Sequence, residues 1–486
     1  FRNVTGVQTC ALPILSGSVH IEQEFCADFP WPFPGRTVEP LGYRQVSGPC
    51  AIVPQYAPGL PLLMAAGKAL VGQCGIFAVV PLAVGVLVFG TYLLGCALGR
   101  PLVGLGAAAL VAASPTVVWM SLWPMSDVPA AALWTLAVVG ALRRTRASVA
   151  AAGAAAAMAI LVRPNLVPLA GVIAAWLFWR RARPLWFALP AALGAAFIAF
   201  LNHRLYGAAI QSGYQPLETM FEAGNIVPNL RLYGTWLIQK EGLLTIVGLA
   251  GLAVPSARIW PGTGVRASRW LLAGIVAVVI GIYLPYGQFD AWWYLRFLLP
   301  ASPMLAIGAV SAAAALGRVP AVVFVAIAAA GGVWLVGREH PESIGLGESI
   351  YATVGRSVRG ITGPDAVVMT EQHSGTVRYY GGRMTLRWKR LNPGWIDAAA
   401  DYLQTSGHHP YLLIERGELP YLKEKYGETN QIGRLNWSPV MTFRHGDLSL
   451  YDLVDRAFQG PPIDIADPER PNQCWTPAPP PRFRRR

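Results

Sequence analysis

Ten uncharged apolar stretches follow one another between Leu60 and Gly337, and nearly every Lys or Arg of that region falls in the short gaps between them. Such a chain has to thread a membrane as helices, because inside lipid every backbone group must find its partner within the protein. The stretches lie near 75–98, 102–121, 128–142, 147–162, 164–179, 185–201, 243–257, 271–287, 298–317 and 319–337. The short pair around Arg163-Pro164-Asn165 reads as a tight hairpin. Proline disfavours helix in the residue before it, and one long helix would put a neighbouring arginine cluster on the wrong side.

Span parity sorts the charges. Eleven arginines share one side: Arg100, Arg143, Arg144, Arg146, Arg180, Arg181, Arg183, Arg258, Arg266, Arg269 and Arg318. Lys68, Arg163, Arg204, Arg231, Lys240 and Arg296 fall on the other. By the positive-inside rule the first side is cytoplasmic, so the polar segments 15–59, 202–242 and everything after Arg338 lie outside. The expected location is the plasma (inner) membrane, with the C-terminal domain extracytoplasmic. The net charge of +13 invites nucleic acid as a partner, but these loop arginines and the Arg482 to Arg486 tail account for it, so none is expected.

With 54% hydrophobic and 13% charged residues, the chain divides into one membrane domain and smaller polar ones. Residues 15–60 are a Pro-, Gly- and aromatic-rich outer loop, 61–337 the transmembrane domain, 338–458 a soluble α/β domain, and 459–486 a Pro-rich basic tail expected to lack fixed structure. In the soluble part, 366–370, 384–388, 411–415 and 448–453 suit strands, while 395–404 and 418–426 suit helices. The fold class is therefore mainly α, a polytopic bundle of about ten spans carrying a C-terminal α/β domain. Residues 4–14, VTGVQTCALPI, match the in-frame translation of a common sequencing adapter, so the native sequence is expected to begin near Leu15 with one earlier span missing. A Cys26–Cys50 disulfide and free thiols both remain open, with Cys474 on the same outer side.

Two outer-edge charged residues are functional candidates. Asp127 stands in Trp123-Pro124-Met125-Ser126-Asp127-Val128-Pro129, where it could cap a helix and also bind an acceptor or orient a base. Arg296 stands in Trp292-Trp293-Tyr294-Leu295-Arg296-Phe297, where it could anchor the chain at the interface or clamp a lipid-linked phosphate. Arg163 and Arg204 face the same way and could assist. The seven histidines form no metal-ligand cluster, and no GxGxxG, GxxxxGKS, HExxH or CxxC pattern occurs.

An ordered set of motifs then resembles a family. Val53-Pro54-Gln55-Tyr56-Ala57-Pro58-Gly59, Ser126-Asp127-Val128-Pro129, Val162-Arg163-Pro164 and Tyr294-Leu295-Arg296-Phe297-Leu298-Leu299-Pro300 are similar to features of the GT-C glycosyltransferases, specifically bacterial relatives of the protein O-mannosyltransferases and the aminoarabinose transferase of lipid A. The resemblance covers 15–337, and Glu371-Gln372-His373-Ser374-Gly375 looks like part of the outer domain of some members. It implies transfer of a sugar from a polyprenyl-phosphate donor to an acceptor on the outer face, with no cofactor. It further implies Asp127 as a supporting carboxylate and Arg296, Arg163 and Arg204 as donor-phosphate ligands. The principal base, an aspartate early in the first outer loop, is expected upstream of Leu15, which would leave this chain inactive. Glu22, Glu24, Asp28 and Glu39 do not replace it. A transporter or flippase would share the spans but carry polar groups near their midplane. A non-catalytic anchor would not explain the polar loops between spans.

Overall fold

The computed structural model describes residues 20–46, 50–214, 217–444, 446–465, 474 and 478. The adapter-like stretch 4–14 and most of the basic tail lie outside the described residues. Contacts divide the chain into a helical unit, residues 57–70 and 75–341, and a second unit comprising 1–56, 71–74 and 342–486.

The helical unit begins with α1 (Gly59–Val71), α2 (Cys74–Ala97), α3 (Pro101–Ala112), α4 (Pro115–Ser121), α5 (Asp127–Arg143), α6 (Arg146–Val162) and α7 (Pro168–Trp179). It continues with α8 (Pro184–Tyr206), α9 (Ile226–Glu241), α10 (Leu243–Ala253), α11 (Thr263–Tyr283), a 3-10 segment at Trp292–Ala301, α12 (Ser302–Ala314) and α13 (Arg318–Arg338). All ten apolar stretches are helical, but they are not ten equal spans. Among the described residues, five helices can cross a membrane by length and composition, Cys74–Ala97, Pro184–Tyr206, Thr263–Tyr283, Trp292–Ala314 and Arg318–Arg338, or up to seven if each of two bent pairs counts as one. The stretch at 102–121 breaks by 60° where Ser114 caps α4, its hydroxyl accepting from the Val117 N–H at 3.3 Å. The stretch at 243–257 is bent 110° from α9 across Gly242, whose φ of 62° suits glycine. The helix Gly59–Val71 was not foreseen from the sequence.

Close approaches fix helix direction. A Cβ on Gly153 would lie 2.5 Å from the Phe187 carbonyl oxygen and one on Gly194 2.8 Å from Ala157, so α6 and α8 run parallel. The α7 helix must therefore return between them, as the hairpin at Arg163-Pro164-Asn165 requires. A Cβ on Gly251 would sit 2.2 Å from the Gly308 carbonyl oxygen, so α10 and α12 touch backbone to backbone. Arg100 donates to the Ile259 carbonyl at 2.7 Å and to Ser311 at 3.0 Å, and the Trp176 indole to the Ala267 carbonyl at 3.5 Å. These contacts gather the arginine-bearing turns at one end of the bundle. The unit's acidic residues, Asp127, Glu218, Glu222, Glu241, Asp290 and Glu339, all belong to segments at the opposite end.

The second unit contains β1 (Ile21–Glu22), β2 (Tyr43–Gln45) and β3 (Ala51–Pro54) in the order β1-β3-β2, and a six-stranded sheet. Its strands are β4 (Ala366–Met369), β5 (Met384–Leu386), β6 (His409–Glu415), β7 (Met441–Phe443), β8 (Leu448–Asp452) and β9 (Ile463–Ile465), ordered β5-β4-β6-β8-β7-β9. Helices α14 (Glu342–Ile361), α15 (Ile396–Thr405) and α16 (Leu419–Tyr426) complete it. Within this unit, residues of the first outer segment from Cys26 to Val38 share one core with the C-terminal part. Cys26, Phe29, Trp31 and Val38 are buried with Val367, Leu386, Trp388 and Leu412. Arg378 locks them together, donating to Gln23 at 2.8 Å and to the Val38 carbonyl at 2.6 Å. Burial lowers its pKa to about 10, still charged at neutral pH. Glu39 pairs with Arg387 at 3.5 Å, a structural use of that carboxylate. Cysteines pair as Cys26–Cys50 and Cys74–Cys474, the second of which sequence spacing did not indicate. The expectation of an unstructured tail from Gln459 is corrected at Ile463–Ile465, which extends the sheet by pairing parallel with β7.

Candidate functional site

Asp127 is the first residue of α5 and only 3% exposed. The cap position falls to Ser126, and no side-chain cap bond is made, so the capping reading of Asp127 is corrected. Its carboxylate is instead ion-paired with Arg163, the residue that ends α6. Because α5 and α6 run antiparallel, the start of one and the end of the other meet at the same level, and the pair closes that end. Removing one partner of such a buried pair leaves an uncompensated charge.

Arg163 and Arg296 meet at one ring. Their guanidinium carbons lie 5.2 and 5.0 Å from the Phe297 centroid, so their separation cannot exceed the sum of those distances. Arg296 also lies 5.0 Å from the Tyr294 ring and contacts the sulfur of Met125, two residues before Asp127. Arg163 lies 5.7 Å from the Tyr283 ring, which stacks on Phe297 at 4.8 Å. Tyr214, Tyr283 and Tyr286 share electrostatic contact with both arginines. The cluster therefore holds two cations, one carboxylate and several phenols, with a net charge of +1.

Backbone and amide contacts hold this arrangement. Asn165 donates to the Tyr283 hydroxyl at 2.7 Å, and Asn229 donates to the carbonyls of Leu284 and Tyr286 at 3.0 and 2.6 Å. The Glu222 N–H reaches the Pro285 carbonyl at 2.8 Å and the Gly287 N–H the Met220 carbonyl at 3.0 Å, which ties the 202–242 segment to the cluster. Behind Leu295 and Leu298 lies a cavity of about 40 Å³ bordered by Glu241. That carboxylate accepts from Ser114 at 2.8 Å and Thr116 at 2.6 Å. Lys240 pairs with Glu339 and lies 4.7 Å from the Trp292 ring.

Of the sequence candidates, Asp127, Arg163 and Arg296 come together. Arg204 stands exposed in the last turn of α8 and, among the described residues, shares none of the cluster's interactions. Sequence reasoning missed Tyr214, Tyr283, Tyr286, Asn165 and Glu241. The aromatic run from Tyr283 to Phe297 was a usable signal; a lone Asn or Glu in a loop was not. Among the described residues no three His, Cys, Asp or Glu side chains gather as metal ligands.

No family model and no curated sequence matches this chain. Its architecture does match solved structures. ArnT from Cupriavidus metallidurans, bound to undecaprenyl phosphate, superposes with a TM-score of 0.54 at 15% identity, over 84% of this chain and 89% of that one. The oligosaccharyltransferase of Archaeoglobus fulgidus, tethered to an acceptor peptide, gives 0.52 at 12% identity, over 83% of this chain and 66% of that one. The same archaeon's AglB, with an inhibitory peptide and a dolichol-phosphate, gives 0.51 at 11% identity, over 93% and 70%. The chain shares its fold with these solved structures, in line with the fold that the resemblance to the GT-C glycosyltransferases implied.

Proposed function

We propose that this protein is a GT-C glycosyltransferase that moves a sugar from a polyprenyl-phosphate carrier to an acceptor at the end of the bundle bearing Asp127. The observation carrying this reading is the convergence of Arg163 and Arg296 on Phe297. A sugar phosphodiester carries one negative charge, which complements the cluster's net +1. In the transfer, the acceptor oxygen bonds to the sugar's anomeric carbon, the carbon–oxygen bond to phosphate breaks, and the electron pair leaves with the prenyl phosphate. The phosphate then gains a second negative charge, which fixed guanidinium groups stabilise more strongly than the starting diester.

In this reading Asp127 is a positioning residue, holding Arg163 rather than removing a proton. The acceptor's proton passes to a general base, a part that the family resemblance assigns to an aspartate early in the first outer loop. No metal is required. Arg204, exposed in the last turn of α8, is not assigned to this site. The side is extracytoplasmic and the membrane the plasma membrane of a bacterium; the arginine-rich opposite end and the two disulfides of the second unit support this, since disulfides persist in oxidising compartments. Charges stand at helix ends rather than mid-span, which favours surface chemistry over a transport path.

Undecaprenyl phosphate titrated into the reconstituted chain in EDTA tests this. Arg296→Gln should weaken binding roughly 10- to 100-fold, the scale of losing hydrogen bonds to a charged group. Unchanged binding in that variant would refute the phosphate role.

A further inference from the structure

The turn joining α7 to α8, at the end of the bundle away from Asp127, holds a depression of about 510 Å³ lined by Phe178, Trp179, Arg181, Arg183 and Pro184. Both arginines are exposed, and among the described residues neither side chain has a hydrogen-bond or ion-pair partner. The sequence supplies no Asp or Glu anywhere from 128 to 217, so the positive field there is uncompensated. Arg181 and Arg183 also hold left-handed backbones, φ 50° and 56°, a conformation that non-glycine residues adopt at a cost.

The aromatic surroundings fix the depth. Phe178 is 75% and Trp179 57% exposed, and Leu185 and Trp186 continue that exposed apolar face onto α8. Exposed tryptophans at helix ends mark the headgroup level of a bilayer, where apolar rings meet the acyl boundary and cations meet phosphate. The neighbouring turn at Arg143–Arg146 carries three arginines but no aromatic residue. Trp179 keeps Arg180 for itself, the guanidinium carbon lying 5.7 Å from its ring, which leaves Arg181 and Arg183 facing the depression.

We propose that this turn is a binding site for the headgroup of an anionic phospholipid, with Arg181 and Arg183 on the phosphate and Phe178 and Trp179 against the glycerol and upper acyl chain. It is independent of the transfer site and of the sugar donor. The occupant is a membrane lipid rather than a soluble anion, because the depression opens onto an apolar face that only a bilayer would cover.

Native mass spectrometry of the purified chain in mixed micelles, counting bound phosphatidylglycerol against phosphatidylcholine, tests the site. Each arginine near a membrane surface contributes about fivefold to anionic lipid binding, so Arg181→Gln/Arg183→Gln should lower phosphatidylglycerol occupancy by at least fivefold. Arg143→Gln/Arg144→Gln/Arg146→Gln, in a turn without an aromatic cradle, should lose clearly less than that double variant, and Arg181→Lys/Arg183→Lys should retain most of the binding. Equal losses in the two glutamine variants would reduce the effect to diffuse charge and overturn the proposal. So would equal occupancy by phosphatidylcholine, or full competition by millimolar inorganic phosphate.

Discussion

At one end of the helical unit Arg163 and Arg296 are packed against aromatic rings, one of them ion-paired to a nearly buried carboxylate. At the other end Arg181 and Arg183 stand in the open with no acidic residue in the surrounding sequence. The residue type is the same and the physics is not. A guanidinium held by packing and a counter-charge is pre-organised for one ligand geometry, whereas a free one contributes field and headgroup contact. Counting arginines by side gives topology; asking which are held gives the site.

The largest expected effect falls on the held end. Asp127→Ala strands Arg163 and should lower bundle stability by about 3–5 kcal/mol, read as loss of thermal stability in detergent. A change below about 0.5 kcal/mol would mean the pair is not buried in solution. Next comes a held arginine at the basic end. Arg269 is 4% exposed and donates to the Leu252 and Ala253 carbonyls at 2.6 and 2.8 Å, capping the end of α10. Arg269→Ala should cost about 1.5–3 kcal/mol in the same assay, and a neutral outcome would break the distinction between held and free arginines at that end.

Asn165→Ala should have a smaller effect, about 1 kcal/mol, through loss of its bond to Tyr283; a larger loss would mean the turn after α6 depends on more than that contact. Smallest of all, Arg181→Gln/Arg183→Gln should stay within about 0.5 kcal/mol in lipid-free detergent, and a greater drop would show that these side chains support the fold.

Much of this contrast was legible in the sequence. Apolar periods and arginine-bearing gaps located the ten apolar helical stretches of the bundle, though not the helices Gly59–Val71 and Ile226–Glu241, because lipid forces backbone bonds to close locally. Asp127, Arg163 and Arg296 stood out because charge at a span end is uncommon enough to question. Non-local pairing was not legible. Nothing in the spacing joins Cys74 to Cys474, or buries Trp31 beside Trp388, since those contacts close loops of hundreds of residues. The same limit hid Asn165 and Glu241, whose partners Tyr283 and Thr116 lie more than 100 residues away. Helix ends were also misjudged: the break at Ser114 and the bend at Gly242 follow from capping and a left-handed glycine, which hydropathy does not register.

Direct measurement of undecaprenyl phosphate binding in nanodiscs, comparing arginines of the two ends, tests the central claim most closely. Arg163→Gln and Arg296→Gln should each weaken binding by 10-fold or more, by roughly the scale of a lost charge-assisted contact, while Arg181→Gln/Arg183→Gln leaves it unchanged. Equal weakening at both ends, or loss only with the Arg181/Arg183 variant, would contradict the assignment of the carrier phosphate to the Asp127 end.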